Sequence, residues 1–166
     1  MIFTTLRHEI EKNILTVTLN RPEQLNAFTV DMANELITVF KQANDNDEIR
    51  AIVVTGAGKA FCAGMDLSID GNVFGLDESL QPTLEDMKTR LHEKEIEEGV
   101  RDTGGQVALA IFNCKKPVIA AINGAAVGIG ATMTCAMDIR LASENAKVGL
   151  VFNKLGITTT ACISRF

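Results

Sequence analysis

Two glycine-containing loops hold the residues with the clearest chemical potential in this sequence. Gly124–Gly130 reads GAAVGIG and Phe61–Asp66 reads FCAGMD, and each follows a run of apolar residues that predicts a buried strand. A glycine after a strand allows the neighbouring backbone N–H groups to approach a ligand closely. Two backbone donors from two such loops are what an oxyanion hole requires, because they stabilise negative charge that develops on a substrate oxygen. Since the donors belong to the main chain, the side chains at those positions are free to vary.

The glycines of Gly124–Gly130 also permit a purely structural interpretation. They allow a tight turn and close packing of a helix against a strand. The functional interpretation is that they begin a helix whose unpaired N–H groups can bind an anion. The sequence leaves both interpretations open. The segment matches neither GxGxxG nor GxxxxGK[ST], so it gives little support for a nucleotide-binding loop.

Ionisable side chains near these loops form no clear catalytic pair. Asp66 follows a predicted donor, Asp138 is expected to cap the preceding helix end or turn, and Glu144 lies in a polar turn. Cys62 and Cys135 have no histidine nearby in the sequence, so we interpret them as small buried apolar residues. The four cysteines form no CxxC pair and accompany only two histidines, so neither a metal site nor a disulfide framework is predicted. A reduced, cytoplasmic location is the simplest expectation.

The first loop lies inside an uncharged run of 20 residues, Val118–Met137, which must position it. A run of this length can cross a bilayer as a helix. However, it follows Pro117 and contains Asn123–Gly124, a pair typical of a turn. This pattern favours a strand, a turn and a small-residue helix over Gly130–Met137. We therefore predict two buried elements of an α/β core and no membrane span.

The rest of the chain alternates between strand and helix patterns. Ile2–Glu9 and Ile14–Asn20 predict a hairpin around Lys12–Asn13. Thr29 is a plausible N-cap for a helix with a single apolar face, formed by Met32, Leu36, Val39, Phe40 and Ala43. The remaining predictions are a strand buried on both faces over Ile49–Thr55, a loop over Gly56–Asp66, an exposed helix over Leu84–Val100 and an apolar helix over Gln106–Asn113.

The overall composition fits one globular domain. The chain has 166 residues, a formal net charge of −5 and 46% apolar residues, which is enough for a single core. We place no domain boundary within residues 1–166. The mild acidity gives no support for nucleic acid or an anionic membrane as a partner. The N-terminal residues also lack the apolar core of a secretion signal.

Four segments carry a resemblance that covers nearly the whole chain. They are LNRPEQLNAF (Leu19–Phe28), IVVTGAGKAFCAGMDL (Ile52–Leu67), KKPVIAAINGAAVGIGATM (Lys115–Met133) and MDIRLASENAKVG (Met137–Gly149). In this order they resemble the crotonase superfamily, the enoyl-CoA hydratase/isomerase family. The resemblance implies an α/β fold, a crotonase-like spiral of β-β-α units, with assembly as trimers or paired trimers. It also implies acyl-CoA thioester substrates, with coenzyme A as part of the substrate and no separate cofactor.

The same resemblance assigns roles to individual residues. It matches the oxyanion donors to the backbone N–H groups of Met65 and Ile129, with the helix dipole after Gly128 adding to the field. It also implies that the loops around Leu25–Ala27 and Lys59–Leu67 receive coenzyme A. The substrate-binding residues it suggests are Leu25, Ala27, Lys59, Ala63, Gly64, Asp66, Leu67 and Gly128. Arg21 and Lys59 could meet phosphates or be ordinary surface cations.

The sequence departs from the family pattern at the positions that transfer protons. Thr132 and Phe152 match the two glutamates of the hydratases, and Thr160 matches the glutamate that many isomerases use. Thr132 can orient a water molecule, but a hydroxyl without a partner is a poor general base. Phe152 transfers no proton. The segment Phe152–Ile157 nevertheless resembles the isomerase-type members.

Length adds a second departure, since members of the family typically have about 250–300 residues. The chain ends at Phe166, so the resemblance implies that the C-terminal helical region is missing. We expect exposed apolar surface and self-association as a result. Three functions stay open: hydration or double-bond isomerisation of an enoyl-CoA, acyl-CoA binding or subunit assembly without catalysis, and a small membrane protein.

Overall fold

The computed structural model describes residues 3–68, 71–77 and 79–152. The strands within these ranges are β1 Leu6–Glu11, β2 Ile14–Leu19, β3 Ala51–Gly56, β4 Ala60–Cys62, β5 Val118–Ile122, β6 Ala125–Val127, β7 Ile139–Ala142 and β8 Lys147–Gly149. The α-helices are α1 Val30–Asn44, α2 Leu84–Thr89, α3 Lys94–Val100, α4 Thr103–Phe112 and α5 Ile129–Cys135, and Pro22–Gln24 forms a 3-10 turn.

The strands form two sheets with a repeating pattern. One sheet has the order β1-β2-β3-β5-β7, in which β1 and β2 are antiparallel and the other neighbours are parallel. The second sheet, β4-β6-β8, is parallel throughout. The strand pairs β3–β4, β5–β6 and β7–β8 therefore each contribute their first strand to the larger sheet and their second to the smaller one. This α/β architecture of successive strand pairs is the one predicted.

The turn of the N-terminal hairpin and the first helix were predicted correctly, but the first strand is Leu6–Glu11 and not Ile2–Glu9. Glu11 pairs with Ile14, and Lys12 and Asn13 have φ values of 49° and 66°, which is the backbone of a two-residue type I′ turn. The hydroxyl of Thr29 accepts a hydrogen bond of 3.1 Å from Met32 N, so it caps α1 as expected. The predicted apolar face of α1 is buried against the core.

Several element boundaries differ from the predictions. The predicted loop Gly56–Asp66 contains β4, and the uncharged run contains β6 before its helix, which begins at Ile129. Leu84–Val100 forms two helices, because the chain turns at Arg90 and resumes after Glu93, where the two side chains pair. This charged segment buries few side chains, so little packing holds one straight helix together.

The core lies where α1 and α4 pack on each other and on the larger sheet. Its largest fully buried side chains include Phe28, Phe40 and Phe61. In β3, Ile52 and Val54 are fully buried but their neighbours are only half-buried, so the prediction of a strand buried on both faces was too strong. No helix in the described ranges is long and apolar enough to cross a membrane.

Candidate active site

The two glycine loops meet in the structure. A Cβ atom placed on Gly64 would lie 3.3 Å from the carbonyl oxygen of Val127, and one on Gly128 would lie 3.9 Å from Cα of Gly64. The φ values of Gly64 and Gly128 are +106° and +54°, which side chains rarely permit. Both glycines are therefore required by the backbone, and they bring the end of β4 against the end of β6.

Each loop presents a backbone N–H group at this junction. Phe28 N donates to Gly64 O at 2.8 Å and Asp66 N donates to Phe28 O at 2.9 Å, so the N–H of Met65 points away from that pairing. Ile129 is the first residue of α5, where an N–H has no acceptor inside the helix. Within the described ranges neither N–H donates a hydrogen bond to the protein. Both remain available to a ligand.

A cavity of about 180 Å³ lies at the two donors. Six of the residues predicted to form the site line it, namely Ala63, Gly64, Met65, Leu67, Gly128 and Ile129. Its other walls come from Phe74, Asp102, Gly104, Val127, Val151 and Phe152. Pockets for whole drug-sized ligands are typically about 300–1,000 Å³, so this cavity suits the short reacting end of a longer molecule.

Other predicted site residues lie outside the cavity wall. Thr132 is fully buried and its hydroxyl donates to Ile129 O at 3.3 Å, so it is used inside α5. Leu25 has a φ of 52° and is 47% exposed, and its carbonyl accepts from Ala63 N at 3.1 Å. Lys59 is an exposed side chain. Leu25 therefore supports the loop of the first donor through its backbone.

Asp66 and Arg21 form a buried ion pair beside the site. Arg21 Nη2 lies 2.8 Å from Asp66 Oδ2, and Arg21 Nη1 donates to Ala27 O at 2.6 Å. Asp66 Oδ1 accepts from both the backbone N and the hydroxyl of Ser68, at 3.1 and 2.6 Å. The Ser68 hydroxyl and the Arg21 guanidinium hold the pKa of Asp66 below its usual value. The pair thus ties the Ala27 segment to the Met65 loop.

Comparison with known proteins places this chain in a family. The family model for enoyl-CoA hydratase/isomerase matches residues 14–166. The chain belongs to the enoyl-CoA hydratase/isomerase family. An enoyl-CoA hydratase of Alternaria alternata is 39% identical over 151 residues, covering 91% of this chain and 45% of the relative. The 1,2-epoxyphenylacetyl-CoA isomerase of Escherichia coli is 36% identical over 148 residues, covering 89% of this chain and 51% of the relative.

Solved structures of the family share the fold. The crystal structure of an enoyl-CoA hydratase from Bacillus anthracis matches with a TM-score of 0.73 at 28% identity, covering 95% of this chain and 55% of that chain. An enoyl-CoA hydratase/isomerase from Marinobacter aquaeolei matches with a TM-score of 0.71 at 30% identity, covering 93% and 55%. This member of the enoyl-CoA hydratase/isomerase family therefore spans about half the length of the relatives it matches.

The positions at which hydratases were expected to carry glutamate contribute no acid or base to this cavity. Phe152 lies on the wall and is 7% exposed, and Thr132 is buried inside α5 and does not line the cavity. Thr160, which the resemblance matches to the glutamate of many isomerases, lies outside the described residues. Asp138 was expected to cap a helix end or turn, but its Oδ2 instead accepts from Val118 N at 2.8 Å and joins the start of β5 to β7.

Two polar residues that sequence reasoning missed support or line the site. Asn26 is fully buried and its Nδ2 donates to Ala57 O and Ala60 O, each at 2.8 Å, which fixes the Leu25 segment on β4. Asp102 caps α4 and lines the cavity. The sequence Asp102-Thr-Gly-Gly is typical of a helix start, but the apolar pattern placed that start at Gln106.

The described residues give no structural support for a reactive Cys62 thiol or for a metal site. Cys62 is fully buried in β4, and burial raises the pKa of its thiol to about 11, so it stays protonated at neutral pH. Among the residues that the structure describes, no three His, Cys, Asp or Glu side chains lie close enough to hold a metal ion.

Proposed function

We propose that this chain binds the acyl end of an acyl-CoA thioester, with the thioester oxygen between the N–H groups of Met65 and Ile129. The observation that carries the proposal is the presence of two backbone donors, both without a protein acceptor in the described ranges, at one small apolar cavity. Hydratases and an isomerase named for CoA thioesters are among the relatives.

The chemistry proposed is stabilisation of a thioester enolate. When a proton leaves the carbon next to the carbonyl, negative charge moves to the thioester oxygen, where the two N–H groups would hold it. Loss of one such donor typically costs about 3–4 kcal/mol of transition-state stabilisation. An enolate of this kind serves both hydration and double-bond isomerisation of an enoyl-CoA, and we propose this reaction class for the site.

Coenzyme A itself would lie along the segments around Leu25–Ala27 and Lys59–Leu67, as the family resemblance implies. These segments are adjacent, because Ala63 N donates to Leu25 O and Asn26 bonds to Ala60. The exposed cation of Lys59 is available to a phosphate group. Arg21 is instead held by Asp66 and Ala27 O.

A second candidate function is acyl-CoA binding, or assembly with other subunits, without catalysis. Phe152 and the buried Thr132 favour it, because neither supplies a carboxylate where a hydratase would use one. Turnover separates the two candidates. An active chain converts an enoyl-CoA catalytically, whereas a binder takes up acyl-CoA in calorimetry without any turnover.

The test removes the N–H group of Ile129 and leaves α5 in place. Ile129 is the first residue of α5, a position that accepts proline, so Ile129→Pro deletes the N–H and keeps a residue suited to a helix start. Ile129→Ala is the matched control, because it removes the side chain and keeps the N–H. With trans-3-hexenoyl-CoA we expect Ile129→Pro to lower kcat about 100–1,000-fold, and Ile129→Ala to lower it far less.

Binding is measured in parallel by calorimetry with hexanoyl-CoA, and folding by thermal unfolding. Equal kcat values for the proline and alanine variants would contradict the proposed oxyanion role of the Ile129 N–H group. If the folded wild-type chain binds no hexanoyl-CoA, the proposal that it binds acyl-CoA is overturned. Binding without turnover would leave the non-catalytic candidate.

A further inference from the structure

Asp102 places an ionisable residue on the wall of the cavity that the two donors line. It lies immediately before α4 and lines the same cavity as Met65 and Ile129. A Cβ atom on Gly104 would lie 2.8 Å from Cδ1 of Ile129 and 3.5 Å from Oδ1 of Asp102. The carboxylate and the Ile129 side chain therefore both approach Gly104, where a side chain would collide with Ile129.

No other ionisable side chain lines this cavity among the residues that the structure describes. The rest of the wall consists of glycine and apolar side chains. Phe152 is apolar, and Thr132 is not part of the wall. A proton that a side chain in the described ranges removes from a ligand here must therefore go to Asp102.

The two oxygens of Asp102 have different surroundings. Oδ1 accepts a hydrogen bond of 2.6 Å from Gly105 N, which fixes the orientation of the carboxylate. Oδ2 makes no hydrogen bond or ion pair within residues 3–68, 71–77 and 79–152. One oxygen is thus held by the helix start, and the other is available to take up a proton.

Resting on the proposed function, we propose that Asp102 is the acid–base residue of this site and that it makes the chain a double-bond isomerase. The carboxylate removes a proton from the α-carbon of a 3-enoyl-CoA, and the C–H electron pair moves into a dienolate whose oxygen is held by Met65 N–H and Ile129 N–H. Protonated Asp102 then returns the proton to the γ-carbon. The double bond moves from C3–C4 to C2–C3, and no co-reactant is consumed.

The alternative is that Asp102 only caps α4, and one substitution separates the two roles. Asparagine caps helices about as well as aspartate, but it cannot take up a proton at neutral pH. Asp102→Asn therefore keeps the structural role and removes the chemical one. Asp31→Asn is the matched control, because Asp31 is an exposed carboxylate in the first turn of α1 and does not line the cavity.

The experiment follows trans-3-hexenoyl-CoA by proton NMR in D₂O, which reports both conversion to 2-hexenoyl-CoA and deuterium uptake. We expect Asp102→Asn to lower both rates by about 100-fold or more, the usual contribution of a positioned acid or base. The Kd for hexanoyl-CoA by calorimetry should stay within about threefold of the wild-type value, since no binding donor is removed. Asp31→Asn should behave like the wild type.

Each of the other possible outcomes would overturn either the acid–base role of Asp102 or the proposed function. Wild-type rates in Asp102→Asn would overturn the acid–base role and leave the proposed function intact. Hexanoyl-CoA binding by the wild type without conversion or deuterium uptake would also overturn it, in favour of the non-catalytic candidate. If the folded wild type binds no hexanoyl-CoA, the proposed function fails and the role of Asp102 fails with it.

Discussion

Asp66 follows the Met65 N–H group directly in the chain, but its carboxylate binds other groups of the protein. Its oxygens are taken up by Ser68 and Arg21. Arg21 also donates to the carbonyl oxygen of Ala27. The Arg21–Asp66 ion pair therefore holds the segments next to the parallel β-bridge between Phe28 and Met65. The family resemblance suggested Asp66 as a substrate-binding residue, and in the structure its contacts hold the loop that contains Met65.

The lowered pKa of Asp66 predicts a pH-dependent contribution to stability. An unfolded aspartate has a pKa of about 3.9, so the contribution is fully present above that value and is lost as the pH falls through the lower folded pKa. We expect Asp66→Asn to reduce the free energy of urea unfolding by about 1–3 kcal/mol at pH 7. The difference from the wild type should shrink as the pH falls below about 5, and it should keep shrinking as the pH passes through the lowered pKa of the folded protein.

Asp77→Asn is the control for this titration. Asp77 also accepts a 2.6 Å hydrogen bond from a serine hydroxyl, that of Ser79, but its carboxylate is exposed. Solvent screening should make its effect on unfolding much smaller. A wild-type-to-Asp66→Asn difference that stays constant between pH 7 and pH 3 would contradict the assignment.

Helix α5 and the turn between β5 and β6 pack close to β4. A Cβ atom on Gly130 would lie 2.3 Å from Cys62 O, and one on Gly124 would lie 2.0 Å from Lys59 O. The structural interpretation of the glycine run therefore applies at Gly124 and Gly130. At Gly128 the positive φ sets the turn that begins α5 and leaves the Ile129 N–H at the cavity.

This close packing predicts that Gly130→Ala is destabilising. The added methyl group meets backbone, which cannot rotate away, and overpacking of this kind typically costs about 1–3 kcal/mol. A shift of α5 would also displace Ile129 N–H, so hexanoyl-CoA binding should weaken. Gly149→Ala in β8 is the control, because its Cβ would meet Val151 at an ordinary 3.6 Å. Equal thermal stability of the two variants would argue against the packing explanation.

Whether a strand or helix could be predicted from the sequence depended on its length. The hairpin, α1 and β5 have enough residues to show a period or a turn pair, and they were predicted from those patterns. The strands β4, β6 and β8 have three residues each, too few for any period to be recognised. Met65 and Ile129 came from the family resemblance. Asp102 was missed because the apolar pattern placed the start of α4 at Gln106, and most of the other residues on the cavity wall are distant in sequence.

On the scale of the whole molecule, the two sheets end in exposed apolar strands. β7 is the edge of the larger sheet and β8 the edge of the smaller one. Ile139, Leu141 and Val148 on these strands are 50%, 60% and 58% exposed. Exposed apolar edge strands favour pairing with another chain, and we propose that this chain self-associates through them.

We therefore expect the wild-type chain to form oligomers in concentration-dependent light scattering, and Leu141→Lys to shift the population toward monomer. A charge on an edge strand opposes pairing without removing a buried contact, so thermal stability of the monomer should change little. Ile10→Lys is the control, since Ile10 is 48% exposed on β1, the opposite edge of the same sheet. A monodisperse wild-type monomer would count against the proposal.

The parallel arrangement of β3 and β5 also governs how the chain folds. β3 ends at Gly56 and its neighbour β5 begins at Val118, so the pairing must close a connection that contains β4 and three helices. Closing long connections costs chain entropy before any contact is gained, and such topologies fold slowly. During synthesis Met65 emerges well before Ile129. A fragment that ends before Val118 contains Met65 and β4 but lacks β6, the strand that pairs with β4.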